Sequence, residues 1–375
     1  MLKGIHLTLM MGPVIAVPVP QTVLDALTSV EVTVQDGEPA VFQMTFTLGT
    51  RSPLHTLFLL SGGDLQPFLR VILVVTLNGT PNVIMDGFVT HHEISPAADA
   101  GHATLTLTGE DLTSAMNLVD FSGFPFPAAP AEGRVALILL KYAFLGIVPL
   151  ILPSVFVDVP IPTNLIPAET GTDLDYINEL AEDVGYVFYI EPGPVPGSNV
   201  AYWGPQFRIG VPQPALNMNM DAHRNVESLS FTFDSQSNGI PTVFIHNEIT
   251  GLILTIPIPD ITPLSPPLGL IPPIPTSLKP IYGLSKVSIP RAISVGLAKA
   301  AEMAKAVKGK GTLDVVRYGR PLKARQLVGV RGVGTAYDGL HYVNKVTHRI
   351  KRGEYKQDFS LLRNGLISTI PRVIP

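Results

Sequence analysis

Two adjacent histidines and a glutamate, His91, His92 and Glu93, form the tightest cluster of metal-type ligands in the sequence. The surrounding residues alternate as in a β-strand, so neighbouring side chains point to opposite faces. His91 and His92 therefore cannot readily chelate one ion, because a metal site needs its ligands around a single point. We interpret the cluster as ordinary strand surface and expect neither a metal site nor a cofactor.

Acidic residues are concentrated in a second segment, between Thr172 and Gly185. Two carboxylates could act as the acid and base of a glycosidase. A catalytic acid needs a desolvated cleft, whereas the acidic residues of this segment lie opposite the apolar stripe of a predicted helix. We predict a solvated helix face that consists of Asp173, Asp175, Glu179, Glu182 and Asp183. A cell-wall hydrolase that uses Glu110, Asp173 and Asp175 is the competing hypothesis.

Other common functional patterns are not found in the sequence. The glycines Gly329, Gly332 and Gly334 lack the lysine and the strand-to-helix context of a phosphate loop, which indicates a turn. The net charge of −4 and the pI of about 6.1 give no reason to expect nucleic-acid recognition. The chain contains no cysteine, which excludes disulfides and thiolate metal sites.

The composition favours β-structure. Charged residues make up only 15% of the 375 residues, and 33 glycines and 36 prolines supply many turns. A chain of this length is expected to form two or three domains. The low charge also indicates that part of the surface is covered in an assembly.

Residues 1–117 show strand patterns. The β-rich segments are 30–34, 42–48, 69–77, 83–94 and 103–107. The dipeptide Asn78-Gly79 marks a hairpin turn between two of them. We predict a barrel or sandwich in this part of the chain.

A helix-containing middle region is predicted over 118–200, and a second β-domain over 201–375, with Trp203 in the core at its start. The prolines of the insertion 256–280 exclude both the interior of a helix and a central strand. We therefore predict an extended loop whose apolar residues pack against another protein surface. A helix is predicted from Arg291 to Val307.

The segment Val135–Leu152 has the length of a membrane span, but Lys141 lies near its centre and Pro149 near its end. We predict a buried helix followed by an extended segment, and no membrane span. The N-terminus shows no convincing secretory signal. Synthesis in the cytoplasm without a signal peptide is therefore expected.

The most informative segment runs from Thr172 to Ile190, TDLDYINELAEDVGYVFYI. Thr172 can cap a helix with a periodic apolar face, and Gly185 lets the chain leave that helix for a strand. The segment resembles the signature DLDFLxxLAxxxGYxFY of baseplate hub proteins, a family that includes the phage late control protein D and the hub part of VgrG proteins. The matching residues are Asp173, Leu174, Asp175, Leu180, Ala181, Gly185, Tyr186, Phe188 and Tyr189.

A second block, Tyr337–Gly365, is similar to the closing hairpin of the same family, in which a GxYYVxxVxHxI strand precedes a GxYxxxFxLxRxG strand. About 150 residues separate the two blocks, roughly as in the family. The matching residues are Gly339, Tyr342, Val343, Val346, His348, Gly353, Tyr355, Phe359, Leu361 and Arg363.

The resemblance implies a mainly β (α+β) fold with two tail-tube-like β-barrel domains and a helix-containing middle region. It implies a structural role without catalysis: a homotrimeric hub that adapts a six-fold inner tube to a three-fold spike and lines the central channel. The implied partners are an inner tube or tube-initiator protein, a spike protein and baseplate wedge proteins.

The same resemblance implies that the chain belongs to a phage tail or an injection-system particle. Because the sequence ends at Pro375, soon after the closing hairpin, it also implies that the spike is a separate subunit. A receptor-binding β-protein of a tail fibre is a further alternative, although fibres tend to show repeats, and none is visible in this sequence.

Overall fold

The computed structural model describes residues 4–49, 69–96, 102–154, 166–206, 209–219, 224–234, 239–246, 253–258, 266–274, 277–282 and 289–370. Strands dominate these ranges, as the composition predicted. The described helices are short, and most of the longer ones lie in the middle of the chain. The fold is therefore mainly β.

The first part of the chain forms antiparallel strands. Its elements are β1 (Ile5–Pro13), β2 (Val17–Pro18), helix α1 (Gln21–Ala26), β3 (Leu27–Gln35), β4 (Val41–Gly49), β5 (Leu69–Leu77), β6 (Thr80–Pro96) and β7 (His102–Asp111). Each of the five predicted strand segments lies inside one of these strands. Asn78 and Gly79 form the predicted turn with φ of 51° and 82°, the left-handed values that a two-residue hairpin requires. Strand β1, which ends at Pro13, was not among the predicted strands.

The middle part packs helices on a small sheet. Its elements are a 3-10 helix (Leu112–Asn117), α2 (Ala131–Leu140), a 3-10 turn (Ala143–Leu145), β8 (Ile147–Ile151), α3 (Asp173–Val184), β9 (Val187–Pro192) and β10 (Asn199–Gly204). Helix α2 followed by β8 confirms the prediction for 135–152. Trp203 is fully buried, as predicted, but it lies in this small sheet because β10 pairs with both β8 and β9. Its predicted place at the start of the second barrel is wrong.

The last part returns to β-structure. Its elements are β11 (Gln213–Asn217), β12 (Val226–Phe233), β13 (Gly239–His246), β14 (Ile253–Pro257), β15 (Gly269–Ile271), β16 (Ser277–Ile281), α4 (Ile289–Met303), β17 (Val307–Asp314), α5 (Val315–Tyr318), β18 (Leu327–Arg331), β19 (Gly339–Lys351), β20 (Glu354–Arg363) and β21 (Leu366–Ser368). Helix α4 ends before the predicted Val307. The reason is that the residues from Val307 onwards pair with β12 and β20.

The proline-rich insertion was predicted to be an extended loop, but parts of it form strands. Its described residues include the short strands β15 and β16, which pair with β21 and β13. Prolines are tolerated there because an edge strand needs hydrogen bonds on one side only. Ile258 and Leu268 are each 4% exposed, which confirms that the segment packs against the rest of the chain, whereas Ile274 is 82% exposed.

One large sheet joins the two ends of the chain. Its order is β12-β17-β20-β19-β3-β4-β7-β6-β5-β1-β2, with β18 attached to β19 and β11 to β18. The antiparallel pair of β3 and β19 is the junction. One hydrophobic core lies behind both halves, and a second core fills the middle part.

Among the described residues, none of the helices combines the length and the hydropathy that crossing a membrane requires.

Candidate functional site: a polar face across eight strands

Eight consecutive strands of the large sheet, from β12 to β6, carry mainly polar side chains on one face. Side chains alternate along a strand, so residues opposite each other across the ladder share a face. Four overlapping rows, each over five neighbouring strands, make up this surface: Ser228, Thr312, Asp358, Thr347 and Thr33; Ser230, Lys310, Ser360, Lys345 and Gln35; Lys356, Arg349, Glu31, Gln43 and Thr108; Lys351, Ser29, Thr45, Thr106 and Glu93. We call this surface the polar face.

The opposite face of the same strands is apolar. Phe42, Met44 and Phe46 on β4 are at most 1% exposed, and so are Val32 on β3 and Val346 on β19. Burying one large apolar side chain contributes about 1.5–3 kcal/mol, and a slip of one residue would turn all of them to solvent. The core behind the sheet therefore sets the register that places the polar face.

Polar contacts cross the junction between the two halves. The hydroxyls of Thr33 and Thr347 lie 3.0 Å apart. Beside them, the Arg349 guanidinium lies 3.8 Å from the Glu31 carboxylate and 2.7 Å from that of Asp358. Ion pairs as exposed as these stabilise a fold by about 1 kcal/mol or less. Their effect is to keep the surface hydrophilic across the junction.

The second signature block forms the β19–β20 hairpin, whose two strands belong to the polar face. Gly353 lies in its turn with a φ of 83°, a value that favours glycine. At most 4% of the residue surface is exposed for each of Tyr342, Val343, Val346, Phe359 and Leu361. These signature residues are therefore core positions of the last part.

Signature residues His348 and Tyr355 form a buried polar pair inside the hairpin. The Nδ1 atom of His348 lies 2.7 Å from the Tyr355 hydroxyl. Burial lowers the pKa of His348 to about 4, so the ring is neutral at neutral pH. Gln357 completes the group by exchanging two hydrogen bonds with the backbone of Leu322, at 2.8 and 2.9 Å.

Arg363 connects the turn before β19 to the end of β20 through hydrogen bonds. Its buried guanidinium donates to the backbone carbonyls of Gly365 at 2.7 Å and Asp338 at 3.0 Å. Burial lowers its pKa to about 10. Gly339 approaches the same region so closely that a Cβ atom there would lie 2.1 Å from the Cβ of Ser368. The two signature positions thus serve close backbone packing.

The first signature block forms α3 and β9 as predicted. Thr172 and Asp175 form a reciprocal capping box, and Gly185 ends the helix with a φ of 73°. Gly185 also contacts α4, because a Cβ atom there would lie 2.7 Å from the Cβ of Ala298. The buried residues of the unit are Leu180, Ala181, Tyr186 and Phe188, with Leu174 partly buried beside them.

The prediction for Asp173 is wrong: it is fully buried. Its carboxylate accepts hydrogen bonds from the Lys141 ammonium at 2.7 Å and the Tyr142 hydroxyl at 2.6 Å. Glu169 lies in the same cluster, 1% exposed and 3.9 Å from the Lys141 ammonium. Burial, followed by the contact with Asp173, raises the pKa of Glu169. Asp175, Glu179 and Glu182 are exposed, as predicted.

Tyr189, the last signature residue of the first block, links the middle part to the large sheet. Its ring stacks on Tyr202 with centroids 4.9 Å apart, and the Arg325 guanidinium lies 3.9 Å from its centroid. Arg325 also donates to the carbonyls of Gln35, at the end of β3, and Glu38. Sequence analysis missed Arg325, because no local pattern marks an arginine that bridges distant segments.

Arg70 and Asp86, which were also not predicted, connect the middle part to the first strands. Arg70 and Asp86 are 5% and 2% exposed, and their side chains form two hydrogen bonds of 2.7 and 2.8 Å. Arg70 also donates to the carbonyls of Val14 and Leu145, and Asn199 donates to Asp86 at 2.8 Å. Charged residues inside the apolar strands β5 and β6 were a signal that could have identified this pair.

The residues considered for chemistry occupy separate positions. Glu110 faces Val41 on the polar face, Asp175 caps α3, and Asp173 is bound to Lys141. In the part of the chain that the structure describes, no three His, Cys, Asp or Glu side chains are grouped so that they could hold one metal ion. This geometry does not favour the hydrolase hypothesis.

The fold is shared with known tail proteins. A tail protein from Neisseria meningitidis MC58 has a TM-score of 0.65 at 12% identity, covering 97% of this chain and 98% of that protein. The 43 kDa tail protein of prophage MuSo2 from Shewanella oneidensis has a TM-score of 0.59 at 13% identity, with coverages of 96% and 98%. An Escherichia coli component of the type VI secretion system has a TM-score of 0.53 at 11% identity, with coverages of 93% and 77%.

No protein-family model matches the sequence, and no curated protein matches it significantly. The resemblance inferred from the two signature blocks is confirmed at the level of the fold. The predicted mainly β architecture is confirmed by the same structures.

Proposed function

We propose that the protein is the structural hub of a contractile tail or injection-system baseplate. The observation that carries this proposal is the polar face, which extends over eight strands from both ends of the chain. A hydrophilic sheet surface backed by one core is suited to line an aqueous passage. The shared fold of phage tail and type VI secretion proteins supports this role.

The hub is proposed to be a homotrimer. Each half of the chain contributes four strands to the polar face: β12, β17, β20 and β19 from the last part, and β3, β4, β7 and β6 from the first. Three chains would therefore present six four-stranded units around one channel. Six similar units match a six-fold inner tube, while the three-fold axis matches a spike.

The two sides of the polar face have open strand edges that could close such a ring. Among the described residues, β12 pairs only with β17, and residues 91–96 of β6 pair only with β7. Open edges are available for pairing with another chain. The remaining proposed partners are an inner tube or tube-initiator protein, a separate spike protein and baseplate wedge proteins.

The first test is the mass of the purified protein by light scattering, followed by electron microscopy of the same sample. We expect a trimeric ring with a central channel. A protein that stays monomeric, both alone and with its tube and spike partners, would overturn the proposal.

The absence of cysteine allows a sharper test of which face lines the channel. Gln43→Cys places one thiol on the polar face, and Asn178→Cys places one on the exposed side of α3 as a control. In the assembled ring, a small thiol reagent should label both variants, whereas a large polyethylene-glycol maleimide should label only the control. Equal labelling of both by the large reagent would contradict a channel-facing polar face.

A further inference from the structure

A cavity of about 400 Å³ opens at one end of the polar face. It lies between the C-terminal end of α4 and strands β17 and β20. Its polar lining consists of Glu302, Lys305, Lys308, Lys310, Asn344 and Ser360. Lys308 and Lys310 make this end of the face locally positive.

The two lysines of β17, Lys308 and Lys310, have no acidic neighbour across the ladder. Lys308 faces Thr232 and Leu362 across the ladder, and Lys310 faces Ser230 and Ser360. Neither lysine forms an ion pair with a described residue. Two cations of the neighbouring hairpin, Arg349 and Lys356, contrast with this, because each lies within 4 Å of two carboxylates.

The distances from ammonium groups to carboxylates show the contrast. Lys356 lies 3.1 Å from the Glu227 carboxylate and 3.0 Å from that of Glu354. The single acid of the cavity, Glu302, is itself engaged by Lys299 at 3.0 Å. An unbalanced positive charge in a concave surface attracts anions.

We propose that this cavity binds the carboxylate side chains of an acidic peptide segment of a partner protein. Its volume falls in the range of sites that hold a ligand much larger than a single inorganic oxyanion. Met303 and Leu362 also line it, which suits a segment that carries apolar residues beside its acids.

The lining favours a peptide over nucleic acid. Single strands are bound by aromatic side chains on which bases stack, and the described lining contains none. It also contains no arginine, whose planar fork pairs with phosphate through two parallel hydrogen bonds. The inference concerns a single chain and goes beyond the proposed hub function.

The probe is a fluorescein-labelled peptide of alternating glutamate and leucine, titrated with the full chain and followed by fluorescence anisotropy. The double variant K308Q/K310Q should weaken binding about tenfold or more, because it removes both unbalanced charges. The control K279Q/K323Q changes the net charge equally at exposed positions outside the cavity, and its affinity should stay close to that of the parent protein.

Three outcomes would overturn the proposal: no binding of the peptide, equal weakening by the control variant, or tighter binding of a single-stranded oligonucleotide of the same charge. All four lysines lie at exposed positions, and thermal melting monitors folding of each variant. The mass of the protein in the binding buffer separates this result from the hub proposal. A trimer that does not bind the peptide removes only the cavity site. A protein that binds the peptide but stays monomeric, also with its tube and spike partners, removes only the hub.

Discussion

Two buried ion clusters hold the middle part of the chain in place, and they differ in their balance of charge. In the Arg70 cluster, one guanidinium meets one carboxylate, that of Asp86, and the remaining donors reach backbone carbonyls. In the Lys141 cluster, one ammonium serves two carboxylates, those of Asp173 and Glu169. Neither carboxylate oxygen of Glu169 accepts a hydrogen bond from a described residue.

This difference in charge balance predicts how each cluster responds to a substitution or a change of pH. A cluster with matched charges leaves an uncompensated charge when one partner is removed. A cluster with a surplus carboxylate can take up a proton instead, and the raised pKa of Glu169 shows this tendency. We therefore expect the Arg70 cluster to be sensitive to substitution and the Lys141 cluster to be sensitive to pH.

The largest effect is expected from Asp86→Ala. It leaves the Arg70 guanidinium buried without its carboxylate, which should lower the free energy of unfolding by about 3–5 kcal/mol. Urea titration followed by circular dichroism measures the change. The double variant Arg70→Met/Asp86→Leu should recover a large part of the loss, because no buried charge remains. A loss below about 1 kcal/mol in the single variant would contradict the matched-cluster description.

Lys141→Met should have a smaller effect, of about 2 kcal/mol. The Lys141 side chain is 34% exposed, so water already screens part of its interaction with Asp173. The loss also removes its contact with the Phe121 ring, at 3.9 Å. Lys299→Met, which breaks an exposed pair, is the control and should change stability by less than about 0.5 kcal/mol. Equal effects of both substitutions would show that the Lys141 cluster is energetically a surface feature.

Glu169→Gln tests the pH response. Burial raises the pKa of Glu169 to about 8, so the folded chain holds a proton that the unfolded chain releases near its ordinary pKa of 4.5. The stability from this proton is fully present below the unfolded value and is lost as pH rises through about 8. The variant should lack this loss, so its stability should fall less steeply than that of the parent protein between pH 5 and 8. Parallel pH–stability curves of both proteins would contradict the prediction.

Tyr142→Phe should produce the smallest effect, of about 1 kcal/mol, since it removes one hydrogen bond to a carboxylate that keeps its lysine. Thermal melting at neutral pH measures it. The matched control is Tyr282→Phe, because Tyr282 is 82% exposed and its loss of a hydroxyl should be neutral. A larger loss than that of Lys141→Met would reverse the proposed order within the cluster.

Local patterns predicted many of the elements correctly, because each pattern needs only a few neighbouring residues. The cap at Thr172, the exit at Gly185 and the turn at Asn78 follow from backbone preferences of single residues. Helix α4 was predicted to run too far, because helical periodicity continued into residues whose strand pairing is decided by β12 and β20. Boundaries of this kind depend on partners distant in sequence.

In the candidate site, too, local patterns predicted single elements but not the contacts between distant elements. The resemblance of the second signature block to a closing hairpin predicted the pairing of β19 with β20. The pattern contained no information that β3 would be the next strand, although that pair extends the polar face into the first part of the chain. Asp173 was assigned to the wrong environment for a related reason. Its partner Lys141 approaches from a different helix segment, and helical periodicity describes only one helix at a time.

Local sequence patterns were sufficient to predict the strand and helix content, the capped helix with its glycine exit, the closing hairpin and the resemblance in fold to tail proteins. These features depend on side-chain alternation, backbone preferences and short motifs, all of which act over a few residues. Local patterns did not predict that the two ends of the chain form one sheet, that four strands from each end build a single polar face, or that Asp173 and Asp86 are buried. Those outcomes depend on contacts between distant segments, whose energies no local pattern carries.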